Sequence, residues 1–490
     1  MMAWVGLALL LFVGLGVVAT GLPAAVMLIV AATFGALIGA MNGQVPIDLL
    51  TALPERLVNL LENDLVQAIP LYVVMGALLN RLPLAEALYR AGLAILPRSS
   101  AAPVISGFAL GALMGPMNGS VGASVLALSR TLAPRLAAFG IPLPRRAAVV
   151  AVASTLGVVV PPSLVLILLG DAMLAAHTIA VTTTGREDRV INTQDVFHAA
   201  LAPAGIYLIA CVAIGWWFNR SEKSGPSTEF ATDRRLSRKQ AALAIFALLA
   251  IVTLLGGVAA GYFYAVEAAA MGGFALLVAG FASGRLPLAV LDGVLRDALS
   301  VTGALFFLLI AATTLTLVLR ILGTDVLVAR GIAAIPGGPL AAVAVVLGAI
   351  WFSALVLDAF EIIFVVVPIV IPPLLIRVDD AVWVAVLVLL IVQASFLDPL
   401  IGYALMMTRT VLKESIPFFA LLRSLIPYLL AQWALLIAVF LLPQLAHLGQ
   451  GEGDRSRAPP DVSKEEIERR IEQMLPPPME PSDSDVAPAK

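Results

Sequence analysis

Long apolar stretches alternate with short polar loops along almost the whole chain. Most are long enough for a helix to cross about 30 Å of hydrocarbon, which takes about 17–25 residues. Twelve such stretches fall near residues 2–20, 22–41, 64–80, 100–129, 147–175, 199–218, 241–260, 261–282, 298–319, 338–376, 381–408 and 424–444. The pattern predicts an all-α polytopic membrane protein, built as a helical bundle and not as a β-barrel.

The amino-acid composition agrees with this pattern and indicates a membrane environment. Of 490 residues, 60% are hydrophobic and 13% are charged, against roughly 25% charged residues in a soluble domain. The lipid bilayer is therefore the expected surrounding, and no nucleic acid partner is expected. The single cysteine, Cys211, excludes an internal disulfide framework.

The basic loops predict the topology. They hold Arg81, Arg90 and Arg98, then Arg130, Arg135, Arg145 and Arg146, and the basic residues of 219–240. By the positive-inside rule these loops face the cytoplasm.

Stretch 100–129 has basic loops on both sides and is predicted to be a re-entrant hairpin. Stretch 338–376 is too long for one span and is interrupted by Asp358 and Glu361, which predicts a second hairpin from the opposite face.

Each predicted hairpin is followed about 40 residues later by an apolar run that proline interrupts. "GPMNGSVGAS" precedes "TLGVVVPPS", and "LVLDAFEII" precedes "ASFLDPLIGYAL". Pro161 and Pro162 remove two backbone donors, so a helix must break there. Two such units of opposite orientation form an inverted repeat, and paired interrupted segments indicate the binding site of a transporter.

The first repeat offers oxygen ligands and close backbone approach. Small residues at the hairpin tip, with Asn118 and Ser120 among them, suit a hard cation such as Na⁺, although small residues also serve helix packing. A helix break exposes carbonyl groups at one half-helix and N–H groups at the next, which can hold a cation and an anionic group respectively.

The second repeat offers carboxylates in apolar surroundings, at Asp358, Glu361 and Asp398. Such groups indicate ion coupling or a proton relay; the alternative is a position at the water interface or a pair with a basic loop residue. The chain has no HExxH, Walker A or GxSxG motif in a fitting context. We therefore expect that the chain is not an enzyme, binds no cofactor and does not hydrolyse ATP. The energy for transport is expected to come from an ion gradient.

These motifs resemble the large membrane subunit of TRAP (tripartite ATP-independent periplasmic) transporters, within the ion transporter superfamily. The likeness covers roughly residues 1–445 and rests on "AIPLYVVMGALL", "GSVGASV", "TLGVVVPPSLVLILLGD", "EAAAMGGF", "LDAFEIIFVVVPIVIPP" and "FLDPLIGYAL". The forms "GSVGAS", "LLGDAM" and "DAFEI" look most like the subgroup labelled mannitol/chloroaromatic.

The resemblance implies a Na⁺-coupled elevator-type importer in the bacterial cytoplasmic (inner) membrane. Its substrate would be a small organic acid from a periplasmic substrate-binding protein, and a separate small four-helix membrane subunit would brace it. The implied organisation is N-terminal scaffold 1–98, first transport repeat 99–175, scaffold 176–335 with an external insertion 182–198 and a cytoplasmic loop 219–240, second transport repeat 336–410, C-terminal helix 411–445 and hydrophilic tail 446–490.

The resemblance also implies site residues, position by position. Sodium would be held by Gly115, Asn118, Gly119, Ser120, Thr155 and Gly157 in one repeat, and by Asp358, Ala394, Ser395 and Asp398 in the other. Substrate would contact Asn118, Pro161, Pro162, Ser163, Glu361 and Pro399.

One departure from the family leaves the coupling ion open. Where relatives usually have Thr and two prolines, this chain has Asp398, Pro399 and Leu400. The added carboxylate could alter cation choice, admit H⁺, or disfavour an acidic substrate. Two other readings remain at this point: a stand-alone Na⁺- or H⁺-coupled carrier of the same superfamily, and a membrane-embedded enzyme or channel.

Overall fold

The computed structural model describes residues 2–42, 52–62, 64–96, 99–185, 189–220, 236–399, 402–412 and 414–448. Arg98, Leu400, most of the 219–240 loop and the tail from 449 onward lie outside the described residues. Within these ranges the chain forms helices and turns and no strand, as the hydrophobic pattern predicts.

The helices are numbered in chain order. They are α1 (Met2–Thr20), α2 (Ala24–Met41), α3 (Ala52–Glu62), α4 (Asp64–Arg81), α5 (Leu84–Ile95), α6 (Ala102–Met114), α7 (Val121–Thr131), α8 (Ala133–Ala138), α9 (Leu143–Val159), α10 (Leu164–Thr184), α11 (Thr193–Asn219), α12 (Arg238–Ala259), α13 (Ala265–Ala282), α14 (Leu288–Ile321), α15 (Thr324–Ala333), α16 (Gly338–Ala354), α17 (Ala359–Leu375), α18 (Ala381–Phe396), α19 (Tyr403–Leu412), α20 (Phe418–Leu441) and α21 (Gln444–His447).

Many of these helices are long and apolar enough to cross a membrane. Eight qualify among the described residues, counting α9 and α10 together, and up to nine if the pair Val66–Arg81 and Leu84–Ile95, bent by 64°, forms one span. The chain is thus a multi-pass membrane protein.

Two half-helices form the centre of the molecule. Every residue of α18 is buried, and so is every residue from Ala147 to Val159 in α9. By contrast, only 17% of α1 and 22% of the most apolar window of α12 are buried. A helix that is apolar and buried all round belongs to the interior, whereas exposed apolar faces suit lipid or a partner subunit.

The two repeats show the same order of elements. Helices α6 and α7 form the first hairpin, and α16 and α17 form the second hairpin. Each hairpin is followed by an interrupted helix: α9 and α10 around residues 160–163, and α18 and α19 around residues 397–402. The direction in which each hairpin enters the membrane, and the division into scaffold and transport domains, stay predictions.

The predicted insertion 182–198 is partly helical. Helix α10 continues to Thr184, where the Thr182, Thr183 and Thr184 hydroxyls donate to carbonyls one turn earlier. Helix α11 begins at Thr193 behind Asn192, whose side chain accepts from the Asp195 amide. The link between the helices is therefore 185–192, of which 186–188 lie outside the described residues.

Candidate functional site

The tip of the first hairpin packs directly on the interrupted helix that follows it. A Cβ atom added to Gly157 would lie 2.4 Å from the carbonyl carbon of Gly115, and one added to Gly115 would lie 2.6 Å from the Cα of Gly157. Real Cβ atoms do not approach backbone so closely, so only glycine fits at either position. The two predicted sodium-site segments of this repeat therefore meet.

The two prolines leave backbone oxygens without their helical donors. In a continuous helix the amides of residues 161 and 162 would donate to the carbonyls of Gly157 and Val158, but proline has no N–H. The Ser163 hydroxyl replaces one lost bond by donating to the Val158 carbonyl at 2.8 Å. The Gly157 carbonyl keeps a lone pair to offer to a cation, at the point where the Pro161–Pro162 peptide bond is cis.

Asn118 contributes a second oxygen at the tip. Its side chain is 4% exposed, and its Nδ2 donates to the Ser124 Oγ at 3.1 Å. Its Oδ1 is buried and has no hydrogen-bond partner within the described part of the chain. A buried acceptor in that state costs about 1–3 kcal/mol unless something occupies it, so Asn118 is placed to bind a ligand.

A small cavity lies between the hairpin tip and the helix break, with a volume of about 10 Å³, about the space of one water molecule. Gly157 lines it, whereas Asn118 lies next to its lining residue Gly119 in sequence. Its lining comprises Gly115, Pro116, Gly119, Ser120, Val121, Ser124, Ser154, Gly157, Val158, Ser163, Leu164 and Val165. Two helices end beside this cavity, α6 and α9, and two begin there, α7 and α10. The carbonyl end of a helix attracts a cation and its amide end attracts an anion. Helix ends of both kinds therefore lie beside this cavity.

Helix caps hold the two amide ends in place. The Ser120 Oγ accepts from the Ala123 amide at 3.2 Å, after Gly119 turns the chain with a φ of +72°. The Ser163 Oγ accepts from the Leu166 amide at 3.1 Å. The other amides in the first turn of each helix have no intrahelical acceptor, as at any helix N-terminus.

The predicted residues of the second repeat make mainly local contacts. Asp358 begins α17 and accepts from the Ala359 amide at 2.7 Å, and the Glu361 Oε2 accepts from the Asp358 amide at 3.0 Å. This arrangement is a capping box, which by itself explains both carboxylates structurally. Each carboxylate keeps a second oxygen for a further partner. Both of these hydrogen bonds lie within residues 358–361.

Before each helix break, a hydroxyl side chain donates a hydrogen bond to the backbone carbonyl three residues earlier. The Thr155 hydroxyl donates to the Val152 carbonyl at 2.9 Å, and the Ser395 hydroxyl donates to the Val392 carbonyl at 2.7 Å. Both are buried and both lie in the last turns of a wholly buried half-helix. At the second break, the Leu397 and Asp398 amides donate to the carbonyls of Ala394 and Ser395 at 3.1 Å each, ahead of Pro399.

Two further residues reach the site that the sequence alone did not place there. A Cβ added to Gly76 would lie 2.9 Å from the Asn118 Cα and from its carbonyl oxygen, so α4 supports the first tip. The hydroxyl oxygen of Tyr403 would lie 2.6 Å from a Cβ added to Gly122 of the first hairpin. The sequence feature that could have indicated them is that Gly76 lies in "AIPLYVVMGALL" and Tyr403 in "FLDPLIGYAL", two of the motifs that carry the family resemblance.

Tyr403 therefore links the first hairpin and the helix that follows the second break. We expect Tyr403→Phe to lower substrate uptake about fivefold, because it removes the hydroxyl that lies against Gly122 of the first hairpin, and a loss of about 1 kcal/mol corresponds to roughly that factor. The measurement is uptake by membrane vesicles at equal expression. Tyr262→Phe is the control, because Tyr262 is 82% exposed; equal uptake in both variants would contradict the linking role.

Comparison with known proteins now decides the family. The family described as "Tripartite ATP-independent periplasmic transporter, DctM component" matches residues 9–445. The chain belongs to this family. As a TRAP large permease it is a transporter subunit and not an enzyme, and its family implies partner subunits in a tripartite system.

Similar proteins agree with this TRAP assignment. The 2,3-diketo-L-gulonate TRAP transporter large permease YiaN of Escherichia coli is 24% identical over 443 residues, 90% of this chain and 98% of that one. The C4-dicarboxylate TRAP transporter large permease DctM of Rhodobacter capsulatus is 28% identical over 273 residues, 54% of this chain and 59% of that one.

A solved structure also resembles the TRAP permease fold. The YdaH transporter of Alcanivorax borkumensis aligns with a TM-score of 0.55 and 17% identity, over 81% of this chain and 87% of that one. At that identity the likeness concerns the fold alone.

Proposed function

We propose that this chain is the permease of a Na⁺-coupled importer, in the bacterial inner membrane, for a small organic solute that carries a carboxylate. A periplasmic substrate-binding protein delivers the solute, and a small four-helix membrane subunit braces the permease. Within the family we assign the chain to the subgroup labelled mannitol/chloroaromatic, a label that does not define the solute.

The observation that carries this proposal is the meeting of the first hairpin tip with the first helix break. There Gly157 borders the one-water cavity beside two helix C-termini, and the Asn118 Oδ1 is buried at the same tip without a hydrogen-bond partner among the described residues. Neutral oxygens in a one-water space suit a small monovalent cation. We therefore take Na⁺ as the coupling ion.

An anionic solute would bind beside this one-water cavity. The first amides of α7 and α10 border the cavity, and Ser163 and Leu164 line it. Na⁺ bound beside these amides strengthens the binding of a carboxylate by opposite charge. Coupling then follows, because each ligand binds better when the other is present.

The second repeat supplies the remaining sodium ligands in this proposal, from Asp358, Ala394, Ser395 and Asp398, with Glu361 and Pro399 beside the solute. Asp398 is only partly buried. Elevator-type movement of the two repeats against the other helices carries the site across the membrane.

Uptake by proteoliposomes tests this function. They contain the permease with the small subunit encoded beside its gene, and they receive the neighbouring binding protein loaded with solute. We expect uptake under an inward Na⁺ gradient and little under an inward H⁺ gradient alone. Uptake driven equally by H⁺ would contradict sodium coupling, and full uptake without the binding protein would identify a stand-alone carrier.

A further inference from the structure

A second cavity lies apart from the candidate site and shares no lining residue with it. It has a volume of about 640 Å³ and lies where α9 begins, α11 ends and α20 begins. By the positive-inside rule the basic loops beside these three helix ends face the cytoplasm. The cavity therefore opens at the cytoplasmic membrane boundary.

Two arginines line this cavity, Arg145 from α9 and Arg423 from α20. The charged side chains among the described lining residues are these two guanidinium groups. The Arg145 Nη1 donates to the Phe218 carbonyl at 3.4 Å, which holds this guanidinium at the cavity wall.

An unsatisfied acceptor also borders the cavity. Asn219 is 3% exposed and lines it, and its Nδ2 donates to the Gly215 carbonyl at 2.7 Å. Its Oδ1 is buried without a hydrogen-bond partner in the described ranges. An acceptor of this kind calls for a hydroxyl or water donor, so the cavity combines two cations for a phosphate with one acceptor for a hydroxyl.

The rim of the cavity carries the marks of a membrane interface. Trp216 and Trp217 are 46% and 58% exposed, and the Arg220 guanidinium lies 3.7 Å from the Trp217 ring centre. Phe419, which lines the cavity, is 80% exposed. Tryptophan collects at head-group level in membranes, and exposed phenylalanine beside it suits acyl chains.

We propose that this cavity binds the head group of an anionic phospholipid of the cytoplasmic leaflet. Arg145 and Arg423 contact the phosphate, and the Asn219 Oδ1 accepts from a hydroxyl of the head group. A glycerol head group such as that of phosphatidylglycerol supplies both features. The acyl chains lie along Phe419 and the outer face of α20.

Lipid titration of the purified full-length protein in detergent tests this site, with binding measured by native mass spectrometry and by the unfolding temperature. The probes are phosphatidylglycerol, phosphatidylcholine and inorganic phosphate. We expect phosphatidylglycerol to bind and stabilise most, and its affinity to fall about fivefold for each arginine removed. The variants are Arg423→Gln alone and Arg145→Gln with Arg423→Gln.

Matched controls keep the outcome decisive. Arg238→Gln removes an exposed arginine at the start of α12, outside the cavity, and should leave lipid affinity unchanged. Since Arg423 is exposed, its single variant should fold even if loss of the Arg145 hydrogen bond disturbs the double variant. Equal binding of both lipids, equal loss in the Arg238 control, or full stabilisation by inorganic phosphate alone would overturn the lipid site.

Discussion

Gly157→Ala is expected to abolish uptake, or to reduce it at least about tenfold, the factor that 1.4 kcal/mol of lost binding free energy represents. The new Cβ would lie 2.4 Å from the Gly115 carbonyl carbon, which is backbone and cannot rotate away. Overpacking of this kind costs roughly 1–3 kcal/mol. Relief requires separating the first hairpin tip from the helix break, which removes the cation site.

A second glycine of the same membrane bundle provides the control. A Cβ added to Gly205, inside α11, would meet nothing within 4 Å. Gly205→Ala should therefore fold and transport like the wild type, and its helix should gain stability of roughly 1 kcal/mol. Uptake in vesicles, normalised to the amount of folded permease, compares the two variants; wild-type uptake by Gly157→Ala would refute the close approach as a requirement.

Asn118→Ala is expected to raise the Na⁺ concentration for half-maximal uptake about tenfold, which corresponds to about 1.4 kcal/mol of cation binding. The substitution removes the Oδ1 that we assign to the cation. It also removes a bond to Ser124, but Ser124 keeps its own hydroxyl bond to the Ser120 carbonyl at 3.1 Å. The loss should therefore appear in sodium dependence more than in folding.

An exposed asparagine offers the matching control. Asn42 follows α2, and its Nδ2 donates to the Ile38 carbonyl at 2.7 Å. Asn42→Ala makes the same chemical change at a surface position and should leave the sodium dependence of uptake unchanged. If both variants show the wild-type sodium dependence, Asn118 is not a sodium ligand.

The sequence predicted the elements that depend on local chemistry. Apolar length predicted the spanning helices, and Pro161 and Pro162 predicted the break, because the loss of two donors acts whatever the surroundings. The glycines and Asn118 predicted a tight tip, which the left-handed Gly119 confirms. These features need only a residue and its immediate neighbours.

Contacts between distant segments could not be predicted in the same way. The approach of Gly115 to Gly157 requires the packing of two helices, and the sequence shows only that both residues are small. Tyr403 contacts Gly122 across the two repeats, some 280 residues apart in sequence, so nothing near either residue indicates the contact. The sequence suggests a binding role for Asp358 and Glu361, whereas the structure shows that they also cap their own helix.

The most direct measurement of the central claim is the thermal unfolding of the purified permease in NaCl and in choline chloride at equal ionic strength. A ligand that binds only the folded state stabilises it, by about 2.7 kcal/mol at one hundred times its dissociation constant. We predict that Na⁺ raises the unfolding temperature of the wild type and raises that of Asn118→Ala clearly less. We also predict that Asn118→Ala has about the same stability as the wild type without Na⁺, because removal of an unsatisfied buried acceptor offsets the lost hydrogen bond to Ser124. No rise in the wild type, or an equal rise in both proteins, would contradict a sodium site at the first helix break.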